Sequence, residues 1–163
     1  SLSNCKSFAE LGFRMPRLLN YYLNNGMEYA IGFDVLESNV IYAKHLGYEA
    51  EVYDLNQCDK NLDLSKIDLS VCYHVLEHLS DPMKALKAIY DGMKENSYLH
   101  VEVPIEGFQE GDKPNIRYCH MFPFYQKDLG WMLQNCGFKL LTLSNKAHEG
   151  GGLIERYLVK KGD

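Results

Sequence analysis

The sequence predicts an α/β fold: one mostly parallel sheet with helices on both faces and an antiparallel pair of strands at one edge. Three observations carry this expectation. Short apolar runs alternate with segments whose apolar residues recur at helical spacing, the pattern of strand–helix–strand crossovers. The last two runs, Lys139 to Leu143 and Ile154 to Val159, lie too close together for a helix between them, so they pair antiparallel. Polar residues gather just after the strands, where an open α/β sheet presents its site.

In chain order, Ser7 to Leu11 (SFAEL) reads as a strand broken by Gly12. Pro16 to Leu23 is amphipathic, with Leu18, Leu19, Tyr22 and Leu23 on one stripe. Proline suits a first helical position, and Asn24-Asn25-Gly26 ends the helix. Tyr29 to Phe33 is a strand stopping at Asp34. Ser38 is placed to cap a helix from Asn39 to Leu46, which Gly47 closes. Glu49 to Tyr53 is a third strand, stopping at Asp54, and Ile67 to Tyr73 is a fourth. Asp81-Pro82 opens a helix from Met83 to Met93, with Met83, Leu86, Ile89, Tyr90 and Met93 in helical register. Tyr98 to Val103 is a fifth strand, ended by Pro104, and Lys127 to Asn135 is a helix ended by Cys136-Gly137. The loop Asn145 to Gly152 joins the edge pair.

The bulk numbers fit one domain over residues 1–163. At 46% hydrophobic and 24% charged the chain can bury a sizeable core, and disorder is not expected. A net charge of −5 without like-charge runs gives no footing for nucleic-acid backbone binding. No apolar stretch approaches the roughly 18 residues of a membrane helix, and no signal peptide is visible. Five scattered cysteines without C-x-x-C read as reduced thiols of a cytoplasmic protein.

The segment Lys66 to Pro82, KIDLSVCYHVLEHLSDP, contains H-x-x-E-H (His74, Glu77, His78), a zinc-protease pattern. Zinc binding by that pattern needs both histidines on one continuous helix. A strand runs up to Tyr73 and Ser80-Asp81-Pro82 interrupts soon after His78, so no metal is expected. Asp34 is the sharpest single residue. A carboxylate just after the second strand, roughly 20 residues beyond Glu10-Leu11-Gly12, can accept from both ribose hydroxyls of a nucleoside cofactor. Taken alone, Asp34 reads equally well as the mere end of a strand. Asp54 stands one unit later, where an adenine amino group can be met; by itself it reads as a loop residue.

Together these residues resemble the class I S-adenosylmethionine-dependent methyltransferases, in the small-molecule branch with V-L-E-H after the fourth strand. The resemblance covers nearly the whole chain and implies the Rossmann-like sheet of that class. The family's glycine-rich turn falls on Glu10-Leu11-Gly12-Phe13-Arg14-Met15-Pro16, its ribose carboxylate on Asp34, and its adenine-side acid on Asp54-Leu55. Tyr73-His74-Val75-Leu76-Glu77-His78 matches the segment after the fourth strand. Leu99 to Pro104 matches the fifth strand, and His120-Met121-Phe122 through Cys136-Gly137-Phe138 the ending. The resemblance implies S-adenosylmethionine as cofactor, bordered by Glu10, Gly12, Arg14, Asp34, Asp54, Leu55, Tyr73 and His74.

Two departures stand out. Only Gly12 of the glycine turn is kept, with Arg14 offered as a contact to the cofactor carboxylate. The family's helices before the first strand have no counterpart, as in a fragment of a longer protein. The activity expected from the resemblance is methyl transfer to a small-molecule or glycan-type acceptor. His120 is the candidate base, and Glu106 and His148 are weaker ones. Tyr118, Phe122, Phe124 and Tyr125 either wall the acceptor or pack their loop down. Glu77 and His78 are expected to be scaffold at the pocket's edge. The alternatives are a non-catalytic methyltransferase-like module beside a neighbouring domain or a second copy, and a nicotinamide-dependent enzyme, for which the fingerprint glycines are missing.

Overall fold

The computed structural model describes residues 2–106, 120–147 and 153–162. Tyr118, Cys119 and His148 lie outside them. The elements follow the predicted order: β1 (Ser7–Leu11), α1 (Arg17–Asn24), β2 (Tyr29–Asp34), α2 (Glu37–His45), β3 (Glu49–Val52), β4 (Leu69–Tyr73), α3 (Pro82–Gly92), β5 (Tyr98–Ile105), α4 (Asp128–Asn135), β6 (Lys139–Ala147) and β7 (Leu153–Lys160). The strands form one sheet in the order β3-β2-β1-β4-β5-β7-β6. The first five pair parallel, while β7 runs antiparallel to both β5 and β6.

Strand alternation divides the side chains between two faces. Phe8, Ala30 and Val71 pack with Leu19 of α1 on one face. Ala9, Leu11, Ile31, Phe33 and Cys72 join the larger core on the other, with Leu86 and Ile89 of α3 and Leu129 and Leu133 of α4. β1 is buried along its whole length, as befits a strand covered by helices on both sides.

Three local expectations are corrected. Ser38 does not cap α2, since it lies inside a helix that starts at Glu37 with no side-chain cap. The carboxylate of Asp34 takes the nearby Leu36 N–H instead, an Asx-type turn into the helix. Pro104 does not end β5, which runs on to Ile105. Parallel pairing with β4 stops at Glu102, and beyond it β5 pairs only with β7, so the missing proline N–H costs no ladder bond on the β4 side. The edge strands run longer than predicted, with β6 extending to Ala147 at a register shift between Leu140 and Thr142. Asp81 caps α3 as expected, accepting from Lys84 N at 3.0 Å ahead of Pro82.

Candidate active site

The crossovers lead one way from β1 through β2 to β3 and the other way through β4 to β5, so β1 and β4 flank the topological switch point. A cavity of about 330 Å³ opens there, with walls from the turns that follow β1, β2, β3 and β4.

The turn after β1 supplies Gly12, at φ +78. A Cβ on it would stand 2.4 Å from Val75 Cγ2, so the β4 turn sits directly over this backbone. Phe13 turns away from the cavity and packs with Val40, Ala43 and Ala50 under α2, filling the space that Gly32 leaves. Arg14 adopts φ +43 with its side chain exposed, and it meets the site through its backbone, donating from N to Asp34 Oδ2 at 2.9 Å.

Asp34 is 6% exposed. Its Oδ1 accepts from Leu36 N at 2.9 Å and Asn39 Nδ2 at 3.1 Å, and Oδ2 accepts from Arg14 N. Each carboxylate oxygen has two acceptor sites. Among the hydrogen bonds of the described residues, Oδ2 therefore keeps one site for a ligand hydroxyl. Asp54 opens the next turn by accepting from Asn56 N at 2.8 Å. Asn56 in turn accepts from Ser80 N and Ser80 Oγ, tying the β3 turn to the β4 turn. Leu55 and Leu79 supply apolar wall.

β4 is followed by His74, at φ +53. Its Nε2 lies 2.8 Å from Glu102 Oε1 and its Nδ1 3.3 Å from Glu77 Oε1. Hydrogen bonds to Glu102 first, then to Glu77, lift the imidazole to about 9, so it is a cation at neutral pH. Burial alone would push the Glu102 carboxyl up, but hydrogen bonds from His74 and Arg156 outweigh it and hold it below its ordinary value.

Of the residues expected at the cofactor, Gly12, Asp34, Asp54, Leu55 and His74 line this cavity together. Glu10, Arg14 and Tyr73 do not line it. Tyr73 packs on the α1 face, its hydroxyl 2.5 Å from His100 Nδ1. Glu10 is buried on the same face, accepting a hydrogen bond from the Leu19 backbone, and its Oε2 has no hydrogen-bond partner among the described residues. His120 is half-buried, its Nδ1 bonded to Glu106 Oε1. Phe124 is fully buried in the core and cannot wall an acceptor; Phe122 packs tilted against it, ring centroids 5.0 Å apart. Sequence reasoning missed Val75 and Leu79 as lining residues, while His78, expected at the pocket's edge, lines the cavity. Their only signal was position after a strand.

This sheet order, with its switch-point cavity and acids after β2 and β3, is that of the class I S-adenosylmethionine-dependent methyltransferases. The sequence matches a methyltransferase-domain family over residues 10–143, and the chain belongs to that family. Solved structures share its fold. A Methanosarcina mazei protein described as S-adenosylmethionine-dependent superposes at TM-score 0.77, with 14% identity over 95% of this chain and 92% of that one. The 1,6-didemethyltoxoflavin-N1-methyltransferase of Burkholderia thailandensis, solved with S-adenosylhomocysteine, gives 0.77 and 14% over 99% and 73%. The [4+2]-cyclase SpnF gives 0.79 and 12% over 95% and 75%, so the fold also serves other chemistry. No curated protein matches the chain.

Proposed function

We propose that this protein binds S-adenosylmethionine in the β1/β4 cavity and transfers its methyl group to a small-molecule or glycan-type acceptor. The observation that carries this reading is Asp34, a buried carboxylate on the cavity wall with one acceptor site to spare. The residues around it fit the cofactor. Gly12 presents bare backbone where a Cβ would meet Val75, and Leu55, Leu79 and Val75 give apolar surface beside Asp54.

S-adenosylmethionine, when bound, supplies a methyl group on an already activated sulfonium. The chain's own task is then to hold, align and shield the reactants, and alignment alone is worth about 7–11 kcal/mol of barrier. Asp34 holds the ribose hydroxyls, Asp54 and Leu55 the adenine side, and His74 the rim after β4. His120, oriented by Glu106, stands as the base for an acceptor that must lose a proton. Of the other three expected residues, Arg14 holds Asp34 through its backbone N–H, Glu10 accepts from the Leu19 backbone and Tyr73 bonds His100.

The turn after β1 favours a second reading, a methyltransferase-like module that does not catalyse. Phe13, Arg14, Met15 and Pro16 replace the residues that would let backbone approach the cofactor closely. Calorimetry with S-adenosylmethionine and S-adenosylhomocysteine decides between the readings. Saturable one-to-one binding of both is expected; silence from both at millimolar ligand would end the enzyme reading.

A further inference from the structure

The short turn Leu76–His78 buries Glu77 to 1% exposure. Its Oε1 faces His74, while its Oε2 is buried with no hydrogen-bond partner among the described residues. Leaving a buried carboxylate oxygen unsatisfied is costly, and a cation is one way to relieve it. The Glu77 backbone carbonyl accepts from both Met121 N at 2.8 Å and Phe122 N at 3.1 Å. These two bonds pin the segment that enters at His120 against the turn, and the His120 ring stands edge-on to His78 with centroids 4.9 Å apart. One donor atom from each of Glu77, His78 and His120 lies within 4.8 Å of the other two. Behind them, Glu106 Oε1 bonds His120 Nδ1, which leaves Nε2 as the nitrogen available to an ion, and Glu106 Oε2 is buried with no hydrogen-bond partner among the described residues. A carboxylate behind a histidine is how metal-binding imidazoles are fixed and made more basic.

We propose that Glu77, His78 and His120 bind a divalent first-row transition-metal ion, with Glu106 as the positioning carboxylate. Two imidazoles and one carboxylate suit zinc, cobalt or iron better than magnesium or calcium, which prefer all-oxygen shells. Tetrahedral bonds of about 2.0–2.1 Å bring ligand atoms to about 3.3 Å from one another. The cluster therefore tightens on binding. Three protein ligands leave a fourth position open. His78 also lines the β1/β4 cavity, so the ion sits at that cavity's rim. The site is not the helical H-x-x-E-H arrangement: His74 bonds Glu102 and Glu77 with its two ring nitrogens, and the second histidine arrives from beyond β5. A bound ion takes the Nε2 lone pair, so His120 then holds metal instead of accepting a proton.

The test is titration of untagged, chelator-stripped protein with Co²⁺ by visible absorption and with Zn²⁺ by calorimetry. One equivalent of each is expected, with d–d bands for cobalt. His78→Ala and His120→Ala should each weaken Zn²⁺ at least tenfold and Glu106→Gln by about 10–100-fold, while His45→Ala, on exposed α2 surface, changes nothing. Glu77 is buried and its variants risk misfolding, so exposed His78 carries the decision. Absence of cobalt bands in excess metal, or binding undiminished in His78→Ala and His120→Ala, overturns the site. Neither readout uses S-adenosylmethionine, so failure here and failure of the cofactor reading are separate results.

Discussion

Asp34 serves two roles with one carboxylate. Its internal bonds to Arg14, Leu36 and Asn39 hold the β1 turn and the start of α2, and the same residue lines the cavity. Asp34→Ala should therefore weaken S-adenosylhomocysteine by about 1.5–3 kcal/mol, the scale of hydrogen bonds to a charged group. It should also lower folding stability by about 0.5–2 kcal/mol, the scale of a lost helix cap. Asp34→Asn keeps a neutral acceptor and should lose less of both. Calorimetry and urea unfolding check the pair, and an unchanged dissociation constant would place the ribose elsewhere. The position of Asp34 was legible in the sequence because a strand ending in an acid is a local pattern. Its structural duty was not, because Arg14 N reaches it only when the β1 turn takes a left-handed backbone.

The sharpest packing constraint among the elements is at the end of α3. A Cβ on Gly92 would stand 2.0 Å from the Leu62 carbonyl oxygen, and the Gly92 carbonyl accepts from Leu64 N. Alanine is a better helix former than glycine by about 1 kcal/mol, yet here it must push backbone away from backbone. The expected outcome for Gly92→Ala is a net loss of about 1–3 kcal/mol; a rise in urea midpoint would show that the Leu62 loop yields freely. Nothing in the letters around Gly92 signals this contact, since Leu62 belongs to the long connection before β4. The element order, by contrast, was readable throughout, because hydrophobic periodicity is set by which face each strand and helix buries.

For the molecule as a whole, Glu10 links stability to pH. Burial on β1 first, and the charge of Asp34 after it, raise its carboxyl to about 8, against a hydrogen bond from Leu19 that lowers it. The sign follows from linkage. Below the unfolded value of about 4.5 the group is neutral in both states. Between there and about 8 the unfolded chain releases its proton while the folded chain keeps it, so stability falls as pH rises through that window. Glu10→Gln, which still offers Leu19 an acceptor, should match the wild type in thermal unfolding near pH 4 and exceed it by a growing margin up to pH 8. A margin that shrinks with pH contradicts the burial of this charge.

By itself the sequence determined the alternation of strands and helices, the antiparallel edge pair, and the acids that follow β2 and β3. Each of these is written in short stretches of neighbouring residues, in periodicity, in what ends a strand, and in the short spacing of the last two strands. Tertiary structure alone decided which side chains share a space. Tyr73 and His74 are adjacent in sequence, yet strand alternation and a left-handed His74 send one to the α1 face and the other to the cavity. His120 is distant in sequence from Glu77 and His78, yet two backbone hydrogen bonds onto the Glu77 carbonyl bring it beside them. Local pattern cannot carry that information, because the partners meet only after the sheet between them has paired.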